Sequence, residues 1–291
     1  MTWIVGTTTV FGYGIGISDI RVTLGDGSER DCLQKIYKVG NFIAAGFAGS
    51  VAIGFGMIDK LTELLACDPA HAWDPTAIAQ WWPQDAREVF GAFPQSERDL
   101  QSHIILIGTH PTEHTGIPGW ARNYVYTFCS PNFDAVNAPP PEVTAIGCGT
   151  QFEPCRTAIE SLSKDHQARF NMMQGEVGCL GGMANLLAFH LTLLLQKSQP
   201  NGISSHLHCC WVYRGRVVIA PSNHASIGRW KTFGTGVDAA EKEVREADLG
   251  KTNPLVSPGM TVFQMPRIAK SLAELEQLLC AGRHSVARAI A

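Results

Sequence analysis

The first fifty residues hold an acid, a cation and a turn of small residues. "SDIRVT" sets Asp19 inside a stretch of strand character, although a solvated loop is the ordinary place for an aspartate. "LQKIYKV" sets Lys35 at the edge of the next strand, and "AAGFAGS" sets Ala48-Gly49-Ser50 directly before a helical pattern. A carboxylate and an ammonium can govern a proton, and backbone N–H groups at a helix start can receive developing negative charge. These are the parts of an acyl-transfer site. A nucleophile is still needed. The opening "MTWIVGTTTV" offers four hydroxyls, but β-branched residues also fill strands for packing alone.

"T-x-I-V" at the start, "D-x-R-x-T", "K-I-Y-K-V" and "A-G-S" before a helix together resemble proteasome β-type subunits and their bacterial relatives, the N-terminal-nucleophile hydrolases of threonine type. Sixteen residues separate Asp19 from Lys35 and fourteen separate Lys35 from Gly49, as in that family. "AIGCG" and "GGMANLL" are similar to its later strand and fourth helix, so the resemblance covers residues 2 to 220. It implies that Thr2 becomes the nucleophile once Met1 is removed, with its own α-amine as a base that titrates near neutrality. It further implies that Asp19 orients Lys35, that Lys35 tunes the proton transfer, and that the Gly49 N–H faces the oxyanion.

Thr2 lies seventeen residues before Asp19, one more than the family usually has. A longer turn at Gly12-Tyr13-Gly14 takes up the extra residue; an unextended hairpin would put Trp3 at the nucleophile position. Thr7, Thr8 and Thr9 are read as strand residues. Supporting positions match Ser50, Cys148 (where the family carries a serine) and, in one register of "GEVGCLGG", Glu176; the other register offers Val177 and Leu180. The family's specificity pocket matches Val22, Leu33, Tyr37, Phe47, Val51 and Phe55. That bulky apolar lining favours a small or slender apolar side chain before the cut. Backbone around Thr23 and Gly49 would pair with an extended peptide.

The elements that must position these residues read in order. "TWIVGTTTVF" and "IGISDIRVTL" form a hairpin turning at "GYG", followed by a glycine-rich loop and two short strands joined at "GN". Val51, Phe55, Ile58, Leu61 and Leu65 recur at helical spacing. A second helix starts at Asp74-Pro75 and is expected to break or kink at Pro83. "SHIILIG" and "YVYTFC" are strands, with His110, Pro111 and His114 in a solvated loop between them; "EVTAIGCG" is another. Two helices, "EPCRTAIESLSKDHQARF" and "GGMANLLAFHLTLLLQK", precede a hairpin turning at Arg214-Gly215. Strands and helices grouped in this way predict an α+β fold of antiparallel sheets with helices in separate layers. The resemblance makes that a four-layer αββα sandwich over residues 2–221. Residues 222–291 then form an extension, partly helical and packed on the core.

Composition sets the outer limits. The chain has 291 residues, 45% hydrophobic and 17% charged, with a net charge of −3. That leaves no basic field for nucleic acid. No apolar run is long enough to cross a bilayer, and no secretion signal is visible, so a cytoplasmic protein with reduced thiols is expected. Arg21 is read as a structural ion-pair partner and Trp81-Trp82 as packing. His206, His208 and Cys210 alternate on one strand with donor types suited to zinc, but without a second ligand pair no metal is expected. The function that follows is a threonine-type peptidase acting on peptide or unfolded protein, without cofactor, in a homo-oligomeric ring whose ATPase partner, if any, is undefined. The alternatives are a catalytically weak or inactive scaffold subunit of that kind and a small-molecule amidase of the same fold.

Overall fold

The computed structural model describes residues 2–8, 14–67, 74–114, 121–138, 143–154, 156–157, 188, 191–192, 194–195, 197–213, 215–221 and 266–281. Met1, Glu176, Val177, Leu180, most of the two helices expected between 153 and 197, and residues 222–265 and 282–291 lie outside the described residues.

The described residues contain two five-stranded antiparallel sheets and a smaller two-stranded one. In the first, β1 (Trp3–Thr8) and β2 (Gly14–Asp19) pair without a bulge from Ile4↔Ser18 to Thr8↔Gly14. Gly14 therefore belongs to β2 and not to the turn, and the connecting residues 9–13 lie outside the described part. The chain does not continue as one strand through Thr23, as the sequence suggested. It bends at Ile20, and β3 (Arg21–Thr23) joins β4 (Glu29–Asp31) in a small separate sheet. The Ile20 carbonyl accepts the N–H groups of Cys32 and Leu33, both at 3.0 Å, which draws the chain off the first sheet.

The second sheet follows: β5 (Ile36–Lys38), β6 (Ile43–Gly49), β7 (Ser102–His114), β8 (Ala121–Cys129) and β9 (Val136–Ala138), in that order. The first sheet is completed by β10 (Val143–Gly147), β11 (Leu207–Tyr213) and β12 (Arg216–Pro221), giving the order β10-β1-β2-β11-β12. The β11–β12 hairpin pairs Tyr213 with Arg216, on either side of the two residues at which the sequence indicated a turn.

Alternation along each strand explains why β1 and β2 are buried throughout. Ile4 packs with Ile36, Ala44, Ile105 and Ile107 of the second sheet. Trp3 and Val5 point the other way, into a cluster with Ile15, Ile17, Leu207 and the helical residues Ala188, Leu191 and Leu195. The sheets approach closely where β1 and β2 carry paired glycines: a Cβ on Gly6 or Gly16 would meet Ile105 or Ile107 within 2.8 Å.

Helix α1 (Val51–Cys67) buries Val51, Phe55, Ile58, Leu61 and Leu65, the residues its spacing singled out. Helix α2 (Pro75–Ala92) starts at Asp74, whose carboxylate accepts the N–H groups of Thr76 and Ala77. Pro83 does not end it: fully buried Trp82 and Ala86 hold the helix on the core on both sides of the missing N–H. Trp81 and Trp82 meet edge to face at 6.2 Å. A short α3 (Gln95–Arg98) leads into β7, and α4 (Leu272–Ala281) packs on α1 through buried Leu275 and Leu279.

His110 is not in a solvated loop. It lies in β7, 9% exposed, and its Nδ1 accepts the N–H groups of Thr112 and Glu113 while Nε2 sits 3.4 Å from Asp74. The strand runs further than "SHIILIG" because these bonds hold its end together. His114 is exposed.

Candidate active site

Asp19 ends β2, and its carboxylate is fully occupied. Oδ1 accepts the Trp3 N–H at 3.0 Å and Lys35 Nζ at 2.7 Å; Oδ2 accepts the N–H groups of Arg21 at 3.1 Å and Ser204 at 3.3 Å. Lys35 stands just before β5 and also donates to the Arg21 carbonyl at 2.6 Å. Both side chains of the pair are 0% exposed. Burial pulls the Lys35 ammonium below the usual lysine range, and the nearby Asp19 charge opposes that fall. A lysine lowered in this way is better suited to exchange a proton.

Strand alternation sends the first side chains of β1 to opposite faces. Ile4 points between the sheets and Trp3 points away, with Gly149 against its indole. Thr2 lies immediately before β1. Thr2 is 1% exposed, and its Oγ1 is buried with no hydrogen-bond partner among the described residues. A buried hydroxyl without a partner is costly. The Thr2 carbonyl is wedged against Gly147, where a Cβ would lie 2.0 Å from it, and accepts the Cys148 thiol at 3.3 Å. Partial burial pushes that thiol up.

Gly49 ends β6 opposite Ser102 with φ +105°, and a Cβ there would meet the Gln101 carbonyl at 2.4 Å. Only glycine fits such a place. Ser50 caps α1: its Oγ accepts the Ile53 N–H at 3.3 Å and donates to Glu97. Its side-chain hydrogen bonds run to α1 and α3.

Around this centre, Arg21 pairs with Asp31 at 2.8 Å and Glu29 at 3.0 Å, the structural role expected of it. Burial would raise the Asp31 carboxyl, but hydrogen bonds from His206, Arg21 and Ser204 outweigh it and hold it well below the usual range. Ser204 was not legible as a site residue; it reaches Asp19 across 185 residues, and no local pattern marks it. His206 sits 3.3 Å from Asp31, while His208 and Cys210 are buried in β11. Among the described residues no cluster of three histidine, cysteine or carboxylate side chains could hold a metal.

Val22, Leu33, Phe47, Val51 and Phe55, expected from the resemblance to line a pocket, belong to one large buried core cluster, with half-buried Tyr37 stacked on Phe47 at 6.2 Å. Thr23 lies in β3 opposite Glu29.

No protein-family model matches the chain. No curated protein matches it either. Among solved structures, eukaryotic HslV from Trypanosoma brucei aligns at 15% identity with a TM-score of 0.47, over 73% of this chain and 99% of that one. A likeness of that size carries no inference to residues or activity. No described helix is long and apolar enough to cross a membrane.

Proposed function

We propose that the chain is a threonine-type N-terminal-nucleophile peptidase. On this reading residues 2–221 form a four-layer αββα domain, residues 222–291 extend it, and copies assemble into a cytoplasmic homo-oligomeric ring. The observation that carries the reading is the fully buried Asp19–Lys35 pair, whose carboxylate accepts the N–H of Trp3, the residue that follows Thr2 and its buried Oγ1.

Removal of Met1 frees the Thr2 α-amine. Thr2 Oγ1 attacks the substrate carbonyl, and its proton passes to the amine with Lys35 alongside. The carbonyl oxygen becomes an oxyanion facing the Gly49 N–H, a contact worth ~3 kcal/mol in comparable sites. The carbon–nitrogen bond breaks as the leaving amine takes the proton, and an ester to Thr2 remains. Water, deprotonated by the same amine, hydrolyses that ester and restores Thr2. Asp19 holds Lys35 in place throughout, with Ser204 and Arg21 fixing the carboxylate.

A second reading, an amidase for small molecules on the same scaffold, is favoured by one observation: the side chains expected to line the specificity pocket are buried. A panel of fluorogenic peptides and small amides, assayed with the native chain and with Thr2→Ala, separates the two. Peptide turnover abolished by Thr2→Ala supports the peptidase. Turnover confined to small amides supports the second reading, and turnover untouched by Thr2→Ala overturns both.

A further inference from the structure

Two residues grip the Asp19–Lys35 pair from outside. Arg21 reaches both partners through its backbone: its N–H donates to Asp19 Oδ2 at 3.1 Å, and its carbonyl accepts Lys35 Nζ at 2.6 Å. Ser204 donates its own N–H to the same Oδ2 at 3.3 Å. The two come from distant parts of the chain, so something must bring their backbones to one oxygen.

Their side chains converge on Asp31. The Arg21 guanidinium meets its carboxylate through Nε at 2.8 Å and Nη2 at 3.4 Å, and Ser204 Oγ donates to Oδ2 at 2.6 Å. His206 closes the ring: its N–H donates to Ser204 Oγ at 3.0 Å, and its Nδ1 lies 3.3 Å from Asp31 Oδ2. Asp31 is itself fixed opposite Arg21 in the β3–β4 register, and the next residue, Cys32, donates its N–H to the Ile20 carbonyl at the bend. An isolated ion pair with side chains 25% and 21% exposed would add little. Bonds from Arg21, Ser204 and His206 meeting on one carboxylate do more, because they fix the orientation of every group they join.

We propose that Asp31 is a positioning residue of the site, acting through the Arg21 and Ser204 backbone groups that hold the buried pair. The assignment rests on the peptidase reading for its effect on catalysis, but not for its effect on the pair. Among the described residues, the charges that reach Lys35 are Asp19 at the end of β2, Asp31 at the end of β4 and the Cys148 thiol after β10; each favours the ammonium, against burial. Asparagine at position 31 removes one of these charges and loosens the grip on Asp19. Both effects release the Lys35 proton at lower pH.

The test uses the full chain carrying Asp31→Asn, with Glu29→Gln as control. Glu29 carries the same charge and pairs with the same guanidinium, through Nη1 at 3.0 Å, while Ser204 and His206 bind Asp31. The first readout is the NMR titration of Lys35 in protein isotope-labelled at the lysine ε-carbon, its signal assigned by loss in Lys35→Met. The second is the pH profile of Thr2 labelling by a peptide vinyl sulfone. Asp31→Asn is expected to move the Lys35 titration to lower pH and to slow labelling about tenfold or more at neutral pH. Glu29→Gln is expected to match the native chain in both. A shifted titration with no labelling of any of the proteins would overturn the peptidase reading and sustain the positioning role. An unshifted titration in Asp31→Asn, or an equal shift in Glu29→Gln, would overturn the proposal. If Asp31→Asn does not fold, Ser204→Ala, which keeps the N–H but takes the hydroxyl from Asp31, must move the titration in the same direction. Its failure to do so overturns the proposal as well.

Discussion

Trp3 and Asp19 meet at the open end of the β1–β2 hairpin, where the Trp3 N–H donates to Asp19 Oδ1 at 3.0 Å. The same oxygen holds Lys35 Nζ at 2.7 Å, so the first strand is tied to the buried ion pair by its own backbone. The indole of Trp3 packs on one face of the sheet and Ile4 on the other, facing the second sheet.

Removing one charge from that pair should cost more than removing both. Asp19→Asn leaves Lys35 buried without its counter-charge, and Lys35→Met leaves Asp19 charged with only N–H donors; each should lose about 3–5 kcal/mol. The double variant should lose clearly less than the sum. Urea unfolding of all four proteins measures the coupling, and strict additivity would mean that the two groups do not stabilise each other.

Gly49→Ala should fail on conformation before chemistry. At φ +105°, with the Gln101 carbonyl 2.4 Å from a built Cβ, the alanine forces β6 and β7 apart. A loss of at least about 2 kcal/mol is expected in thermal unfolding. Ala48→Gly, one residue earlier in the same strand, lacks that clash and serves as the control.

The buried His208 makes stability depend on pH. Burial, with a smaller push from Lys270, lowers it from 6.5 to about 4. Opposite it across the strands stand Ser18 and Pro221. Between pH 6.5 and 4 the unfolded chain binds this proton and the native chain does not. The contribution is therefore complete above pH 6.5 and is lost as pH falls, by about 2 kcal/mol at pH 5. His208→Gln should flatten the difference between urea midpoints at pH 7 and pH 5; an equally steep dependence in the variant would assign it to other groups.

Much of this was visible in the sequence where a single element carries the signal. The helical spacing of Val51 to Leu65, the Asp74 cap and the β11–β12 hairpin depend on neighbours within a few residues. What was not visible depends on distant partners. The bend at Ile20 exists because its carbonyl binds Cys32 and Leu33, and His110 belongs to a strand because Asp74 and its own turn hold it there. Ser204 on Asp19 and Ala269 on Leu33 join segments that no periodicity relates. The Asp19–Lys35–Gly49 spacing pointed to a site, and the structure adds that the acid and lysine touch while Ser50 serves the helix.

The most direct test of the account is mass spectrometry of the N-terminal peptide after incubation with an alanine-ended peptide epoxyketone. The account predicts a chain that has lost Met1 and carries one adduct joining both the amine and the hydroxyl of Thr2, absent from Thr2→Ala. A chain that retains Met1 while turning over substrate, or an adduct on any other residue, would contradict it.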